Sequence, residues 1–315
     1  MRCIFALLLI SAFSLFASEH GDVPRHVLFE ADVVYFERDK VNDHCLVQEE
    51  SSGQCLISTD NVADEFGHNP GLRALMNIMP NLDATWQFAF LGFFRWDRNK
   101  GVTSEANLEM PVDANITSDY INADSANVRF LSKLDTGEIN YIRHVTPQRI
   151  NYFSVSWLAG LRFAYVSEYA RVRFNKDSRT SNYYAKTWNR LYGFQFGGLF
   201  EMNPEDWITF GLRGKFGLMG NFGHQVSVQR DFNNENTIRD HDHGAFNLCW
   251  EGEGAFDLTI YIFKRMRLHG SWEVFYLSDV ASAMSQFGFS SSGSDIKNND
   301  DILYHGWSVG VGIEF

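Results

Sequence analysis

The residues best suited to chemistry stand together in the run Asp240-His241-Asp242-His243. Two acids interleaved with two imidazoles could bind a divalent metal ion or polarise a water molecule. We favour a solvated polar loop, because polar residues concentrate in surface loops. The sequence also lacks a Gly-x-Ser-x-Gly nucleophile motif, a glycine-rich phosphate loop and a zinc signature. We therefore expect no enzyme, no cofactor and no bound metal.

Charged residues recur at alternate positions of apolar segments, so strands would gather them on one face. The acids on that face are Glu30, Asp32, Glu105, Glu138, Glu201, Glu251, Glu253, Asp257, Glu273 and Glu314, and the bases are Arg95, Arg162, Arg213, Lys215, Arg267 and His269. Because acids predominate, a water-filled space lined by this face would favour cations. In a narrow space the opposite charges would instead pair and fill it.

Glycines share the polar face and leave space there, which favours a passage. They are Gly160, Gly193, Gly197, Gly211, Gly217, Gly310 and Gly312. His224, Lys133 and Arg143 are better interpreted as residues of the rim.

The elements that would position these residues are strands, since large apolar side chains alternate with polar or small ones. The clearest examples are 86–96, 153–165, 208–218, 268–276 and 307–315. The predicted strands are 27–39, 84–96, 101–110, 125–145, 151–174, 187–202, 206–230, 244–262, 267–280 and 302–315. Short polar turns, such as 97–100, alternate with long connections near 40–83, 111–125, 176–186, 231–243 and 281–301. A short helix is expected at Leu72–Ile78 within the first long connection.

This layout predicts an all-β fold, a transmembrane antiparallel up-and-down β-barrel with short periplasmic turns and long extracellular loops. About ten strands are expected, and a turn at Leu134-Asp135-Thr136-Gly137 would raise the count to twelve. A soluble β-sandwich also has alternating strands. The aromatic residues near both strand ends and the charges on the polar face favour the barrel.

Composition and the N-terminus limit the class and the compartment. The 315 residues carry a net charge of −12 with scattered Lys and Arg, which disfavours nucleic acid as a partner. Residues 1–18 resemble a secretory signal peptide, with Arg2 before an apolar stretch that is too short for a membrane anchor. Residues 19–315 would form one barrel domain.

The cysteines fit export to an oxidising compartment. Cys3 would leave with the signal peptide, and Cys45 and Cys55 are expected to form a disulfide, the alternative being two free thiols. Cys249 stands alone and has no predicted role.

The C-terminus resembles the signal read by the outer-membrane assembly machinery, through Ser308, Gly310, Ile313 and Phe315, with Ile313 in place of the more usual aromatic. The runs 132–143, 157–163 and 191–197 resemble bacterial outer-membrane β-barrel porin families. That resemblance implies an outer-membrane location and a pore. Ten-stranded outer-membrane proteases place an Asp/His pair in a loop comparable to 240–243, opposite paired acids, whereas this chain offers only Asp113, Asp119 and Asp124, without a close pair.

Three functions remain open from the sequence. The first is a porin-like channel for small hydrophilic solutes with a cation-favouring lumen. The second is a plugged structural or adhesin-type barrel that acts through its surface loops, and the third is an omptin-like barrel protease. The expected partners are the lipid bilayer, the outer-membrane assembly machinery and, for a channel, small hydrophilic solutes.

Overall fold

The computed structural model describes residues 26–39, 43–81, 83–111, 120–146, 152–231, 237–287 and 296–315. The predicted signal peptide lies outside this part of the chain. The elements are β1 (His26–Asp39), β2 (Cys45–Glu49), β3 (Cys55–Ser58), α1 (Thr59–Ala63), β4 (Asn69–Asn81), β5 (Ala84–Glu109), β6 (Ala123–His144), β7 (Phe153–Lys176), β8 (Arg179–Glu205), β9 (Ile208–Arg230), β10 (Thr237–Phe263), β11 (Met266–Val280) and β12 (Asp300–Glu314).

Within the described residues, ten strands close into an antiparallel barrel, which confirms the predicted fold class. The order around the wall is β1-β4-β5-β6-β7-β8-β9-β10-β11-β12, and β12 pairs with β1 to close it. β2 and β3 form a separate hairpin that joins the sheet through the end of β5. The alternative of twelve wall strands is wrong, because β6 runs without a turn through Leu134–Gly137 and pairs there with β5 and β7.

Two errors in the predicted strands cancel in the count of ten. Residues 97–100 form no turn but pair with β6 inside the single strand β5. The predicted helix at Leu72–Ile78 is instead part of β4, which pairs with β1 and β5. Leu72, Leu75 and Met76 have helical spacing, but pairing with two neighbouring strands decides the conformation.

A β-bulge in β5 reverses the predicted inward or outward direction of the side chains that follow it. The register shifts between Leu91 and Phe94, and Phe93 has φ of 69°. An extra residue at a bulge moves every later side chain to the opposite face. Trp86 therefore faces outward, whereas Phe94 and Trp96 are buried inside. Arg95, predicted to face inward, is exposed on the outside.

The strands extend well beyond the predicted lengths at the end that carries the long connections. β7 and β8 continue to a turn at residues 177–178, and β10 already begins at Thr237. β8 has 27 residues, whereas a tilted transmembrane strand needs about 9–11. Most of the predicted loop 176–186, and residues 237–243 of the predicted loop 231–243, are therefore wall strand.

The upper part of the barrel, at the end that carries the long connections, encloses a hydrophobic core. Inward side chains of the wall, such as Phe36, Phe94, Phe130 and Tyr304, are almost fully buried. The segment between β1 and β4 contributes the buried Phe66, whose ring lies 5.1 Å from that of Phe130. Buried residues of 281–287 complete the core. We call the segments 43–68 and 281–287 together the plug.

The only helix that the described residues form belongs to the plug. Ser58 caps α1 by accepting a hydrogen bond from the backbone N–H of Asn61, while the Asn61 side chain returns a bond to the Ser58 N–H. Val62 and Ala63 are buried in the core. No helix in the described ranges is both long and apolar enough to cross a bilayer.

Candidate functional site

The outer face of the barrel has an apolar belt toward the end at which β1 begins and β12 ends. Its exposed members include Trp86, Trp157, Leu161, Phe194, Phe196, Leu212, Leu218, Phe222, Phe246, Leu248, Trp250, Phe256, Trp272, Trp307, Val309 and Val311. Such a belt, with aromatic residues toward its edges, matches the lipid-facing surface of a transmembrane barrel. The polar positions of the same strands therefore face the lumen at membrane level.

A buried cluster of charges joins β6, β7, β9 and β10 across this part of the lumen. Arg162 Nη1 donates a hydrogen bond of 2.8 Å to Glu253, and Arg162 Nε lies 3.2 Å from Glu251 Oε2. Lys215 Nζ donates to Glu138 at 2.9 Å and lies 3.0 Å from Glu253. Each of these side chains is less than one tenth exposed. We call these five residues the Arg162 cluster.

A second group of charges fills the lumen beside β1, β4 and β11. Arg73 pairs with Glu273 and lies 3.5 Å from Asp32. His269 Nε2 and Asp32 Oδ1 are 2.5 Å apart, and Arg267 donates to Glu30 at 2.8 Å. Arg213, which also lies near Asp257 and Glu253, reaches to 3.8 Å from Glu273 and so links both groups.

One ion pair crosses the lumen higher up, inside the hydrophobic core. Arg38 on β1 donates to Glu168 on β7 at 2.7 Å, and both side chains are fully buried. Three strands separate β1 from β7 in one direction and five in the other, so this pair joins nearly opposite walls. Glu168 also accepts hydrogen bonds from the Ser282 hydroxyl and the Ala283 N–H, which ties the plug to both walls.

The structure places nearly all of the predicted lumen residues on the inner wall. Those inside are Glu30, Asp32, Glu138, Arg162, Glu201, Arg213, Lys215, Glu251, Glu253, Asp257, Arg267, His269, Glu273 and, at the rim, Glu314. Glu105 and Arg95 differ, because both are exposed beyond the bulge of β5. Most of these inner residues are packed together in ion pairs.

Sequence reasoning missed Arg38, Glu168 and Arg73. Arg73 was hidden by the predicted helix, although it alternates with the outward Leu72 and Ala74 once β4 is recognised as a strand. Arg38 and Glu168 each continue the inward phase of a predicted strand, and that phase could have revealed them.

Inward glycines provide room for neighbouring side chains and backbone. A Cβ at Gly217 would lie 2.5 Å from Glu251 Oε1, and one at Gly310 would lie 2.2 Å from Asp32 Oδ1. The space at Gly160 and Gly197 is likewise taken by neighbouring backbone and side chains. The space that the sequence predicts at these positions is therefore occupied by neighbouring atoms.

The pleat of β10 divides the run 240–243 between two faces. Asp242 faces outward and lies 2.9 Å from the exposed His224, whereas His241 and His243 occupy the inward phase with ring centroids 6.0 Å apart. Successive residues of a strand point to opposite faces, so the four side chains do not converge. Asp113 and Asp119 lie outside the described residues, and Asp124 accepts a hydrogen bond from the Asp177 N–H.

The remaining predicted residues have these places. Cys45 and Cys55 form the predicted disulfide, which ties β2 to β3 in the plug. Cys249 is buried on the inner side of β10. In β12, Ser308 and Gly310 face the lumen, while Ile313 and, just after the strand, Phe315 are exposed on the belt. The role of this C-terminal pattern in assembly stays a prediction.

Comparison with known proteins finds the fold and nothing narrower. No protein family matches the chain, and no curated protein does. The outer membrane protease OmpT from Escherichia coli is similar with a TM-score of 0.50 at 12% identity, over 95% of this chain and 99% of that chain. The translocator domain of the autotransporter NalP from Neisseria meningitidis has a TM-score of 0.34 at 10% identity, over 100% and 95%. The chain thus has the fold of a bacterial outer-membrane β-barrel.

Proposed function

We propose that this protein is an outer-membrane barrel with a sealed lumen, and that it acts through the part of the barrel that projects above the membrane. The observation that carries the proposal is the buried Arg38–Glu168 pair, which joins opposite walls within a hydrophobic core. A porin-like passage for small hydrophilic solutes needs a water-filled interior instead.

Passage of a solute would require two separate barriers to open. At membrane level it would have to separate the buried, paired charges of the Arg162 cluster. Above that level it would have to displace the plug, whose members Leu46, Val47 and Phe66 are fully buried. These barriers lie in series, so the closed state is strongly favoured.

The projecting part has the properties of a rigid display surface. Strands β7 to β10 have 23 to 27 residues and extend well beyond the belt. Above the belt their outward side chains include the charged Arg171, Arg173 and Asp242. The disulfide further restrains the β2–β3 hairpin of the plug. This supports the adhesin-type alternative, in which the upper surface contacts other molecules.

Single-channel conductance of the refolded mature protein in a planar bilayer tests the seal. We expect a silent bilayer from protein whose folded barrel is verified by a heat-dependent gel shift, with a general porin as the positive control. Steady openings that prefer cations would overturn the proposal and restore the channel. In that case, Glu251→Gln with Glu253→Gln should shift the reversal potential, because both carboxylates lie in the lumen.

We also propose that the protein is not a protease. The division of Asp240–His243 between two faces supports this. A catalytic acid and base must both lie within hydrogen-bond reach of the reacting group of the substrate. Hydrolysis of fluorogenic peptides by intact cells that is lost in His241→Ala/His243→Ala would refute it.

A further inference from the structure

Two histidines and a glutamate meet on the outer surface at the point where the barrel closes. Glu37 lies near the end of β1 and is paired directly with His305 of β12. His68 comes one residue before Asn69, the β4 residue that pairs with Phe36, so it lies on the other side of Glu37. Neighbouring strands are about 4.7–4.9 Å apart, which brings the three side chains into a row.

The distances between the donor atoms suit a small metal ion. One ligand atom from each residue lies within 4.8 Å of the others. His68 Nδ1 and Glu37 Oε2 are 3.3 Å apart, close to the separation of about 3.4 Å between ligands of a tetrahedral zinc ion with bonds of about 2.1 Å. The His68 and His305 rings are 6.2 Å apart at 85°. Because His68 is exposed, a modest rotation of its side chain can complete the approach.

The chemistry of the three donors selects the kind of metal. Imidazole nitrogens suit zinc and other first-row transition metals, whereas calcium and magnesium prefer sets made of oxygen ligands alone. Two histidines with one carboxylate leave a fourth position for water. Among the described residues, these are the ones that meet the geometric condition for a metal cluster.

The location gives such an ion a structural effect. Tyr35 and Trp307, the stacked pair two residues below Glu37 and His305, mark the upper edge of the belt with ring centroids 4.4 Å apart. The donors therefore lie just above the membrane, open to the external medium. An ion there would bridge the first and last strands of the barrel and hold the last residue of plug segment 43–68.

We propose that Glu37, His68 and His305 form a site for one divalent transition-metal ion, with zinc as the fitting ion, which clamps the closing seam of the barrel and the end of the plug. The site is independent of whether the lumen conducts. It needs no contribution from the lumen charges.

Zinc binding to the untagged, refolded full-length mature protein after treatment with a chelator tests this site. We expect one zinc ion per chain by isothermal titration and metal analysis. His305→Ala and His68→Ala should each weaken binding by at least about tenfold, since loss of even a group that only supports a ligand costs 10–100-fold. Glu37→Gln, which keeps the side-chain shape, should weaken it as well.

His224→Ala is the matched control. His224 is an exposed histidine on the same outer face and lies 2.9 Å from Asp242, but it lacks a second imidazole partner of this geometry in the described residues. Its replacement should leave the zinc stoichiometry and affinity unchanged. The heat-dependent gel shift verifies that each variant is folded, and Glu37→Gln provides the test if an alanine variant does not fold.

A second readout addresses the clamp itself. Zinc should raise the temperature at which the wild-type barrel loses its folded gel mobility, and this rise should be absent in His305→Ala. The proposal is overturned if the wild type binds no zinc, or if His224→Ala loses as much affinity as His305→Ala.

Discussion

Replacement of Arg162 by methionine should destabilise the barrel severely. The guanidinium lies 2.8 Å from Glu253, 3.2 Å from Glu251 and 3.4 Å from Glu138, and its side chain is 1% exposed. Methionine preserves much of the volume but leaves three buried carboxylates with fewer cations. Lys215 still pairs with both Glu138 and Glu253, at 2.9 and 3.0 Å. Glu251 is therefore the carboxylate that loses most.

The size of the effect follows from this arrangement. Removing one partner of a buried ion pair costs about 3–5 kcal/mol, and Lys215 keeps the loss within that range and not a multiple of it. Neither Glu251 oxygen accepts a hydrogen bond from the part of the chain described. Neutralising this residue in Arg162→Met/Glu251→Gln should therefore recover at least about 1 kcal/mol of the loss.

Equilibrium unfolding in urea, in detergent or lipid vesicles, measures these differences. Arg95→Met is the matched control, because Arg95 is 56% exposed and pairs with Asp97 at the surface, where an ion pair is worth about 0–1 kcal/mol. The reasoning fails if Arg162→Met costs no more than Arg95→Met. It also fails if the double variant is no more stable than the single one.

Two further predictions concern the plug and the outer surface. Cys45→Ser/Cys55→Ser should lower the stability of the plug hairpin by about 2–3 kcal/mol, the loop-entropy value for this short loop. Proteases should then cut within 43–66 while the barrel keeps its folded gel mobility. Equal protease resistance in the variant and the wild type would contradict this. Hydrogen bonds from Arg129, helped by Arg95, lower the pKa of Asp97 to about 2 against the opposing effect of partial burial. The stabilisation that Asp97 gains from these arginines should therefore be present above about pH 4, the ordinary Asp range, and fade as the pH falls toward 2. The unfolding midpoints of the wild type and Asp97→Asn should differ at pH 7 and converge near pH 2.

The strands at membrane level were predictable from sequence because lipid enforces a strict alternation. In 208–218 the large apolar residues all face outward, as predicted, and in 153–165 Leu158 is the exception, buried on the inner face. The bulge at Phe93 and strand β4 were not predictable in the same way. A bulge depends on local geometry that leaves no periodic signal, and β4 has apolar residues on both faces, including Leu75 inside and Met76 outside.

The sequence predicts which residues belong to the candidate site, but not whether their charges pair with one another or line a channel. Alternation alone assigned Glu138, Arg162 and Glu253 to one face. Whether they pair or line a water-filled channel depends on distances across the lumen, such as that between β7 and β10. Sequence carries no signal for those distances. The residues Arg38 and Glu168 are 130 positions apart, and their contact exists only because the barrel closes.

A reversal of polarity along the strands gives a physical reason for the proposed seal. At membrane level β7 faces lipid with Trp157 and Leu161 and faces the lumen with Arg162, but farther along it faces water with Arg171 and the interior with Val172. Below the reversal, a slip of one residue would move charges into lipid, at about 2–4 kcal/mol for each Arg or Lys near the bilayer midplane. Above it, the same slip would move apolar residues into water.

Both halves of each long strand therefore specify the same register by opposite rules. A wall that rises beyond the membrane has water outside it, so its apolar face can be buried only inward, as in a soluble barrel. The closed core is then what stabilises the projecting strands. A wide water-filled lumen at this height would expose Phe36, Trp96 and Phe130 on the inside without any compensating burial outside. On this argument the projection and the seal are one property, and a variant that opens the lumen should also lose the order of the upper strands.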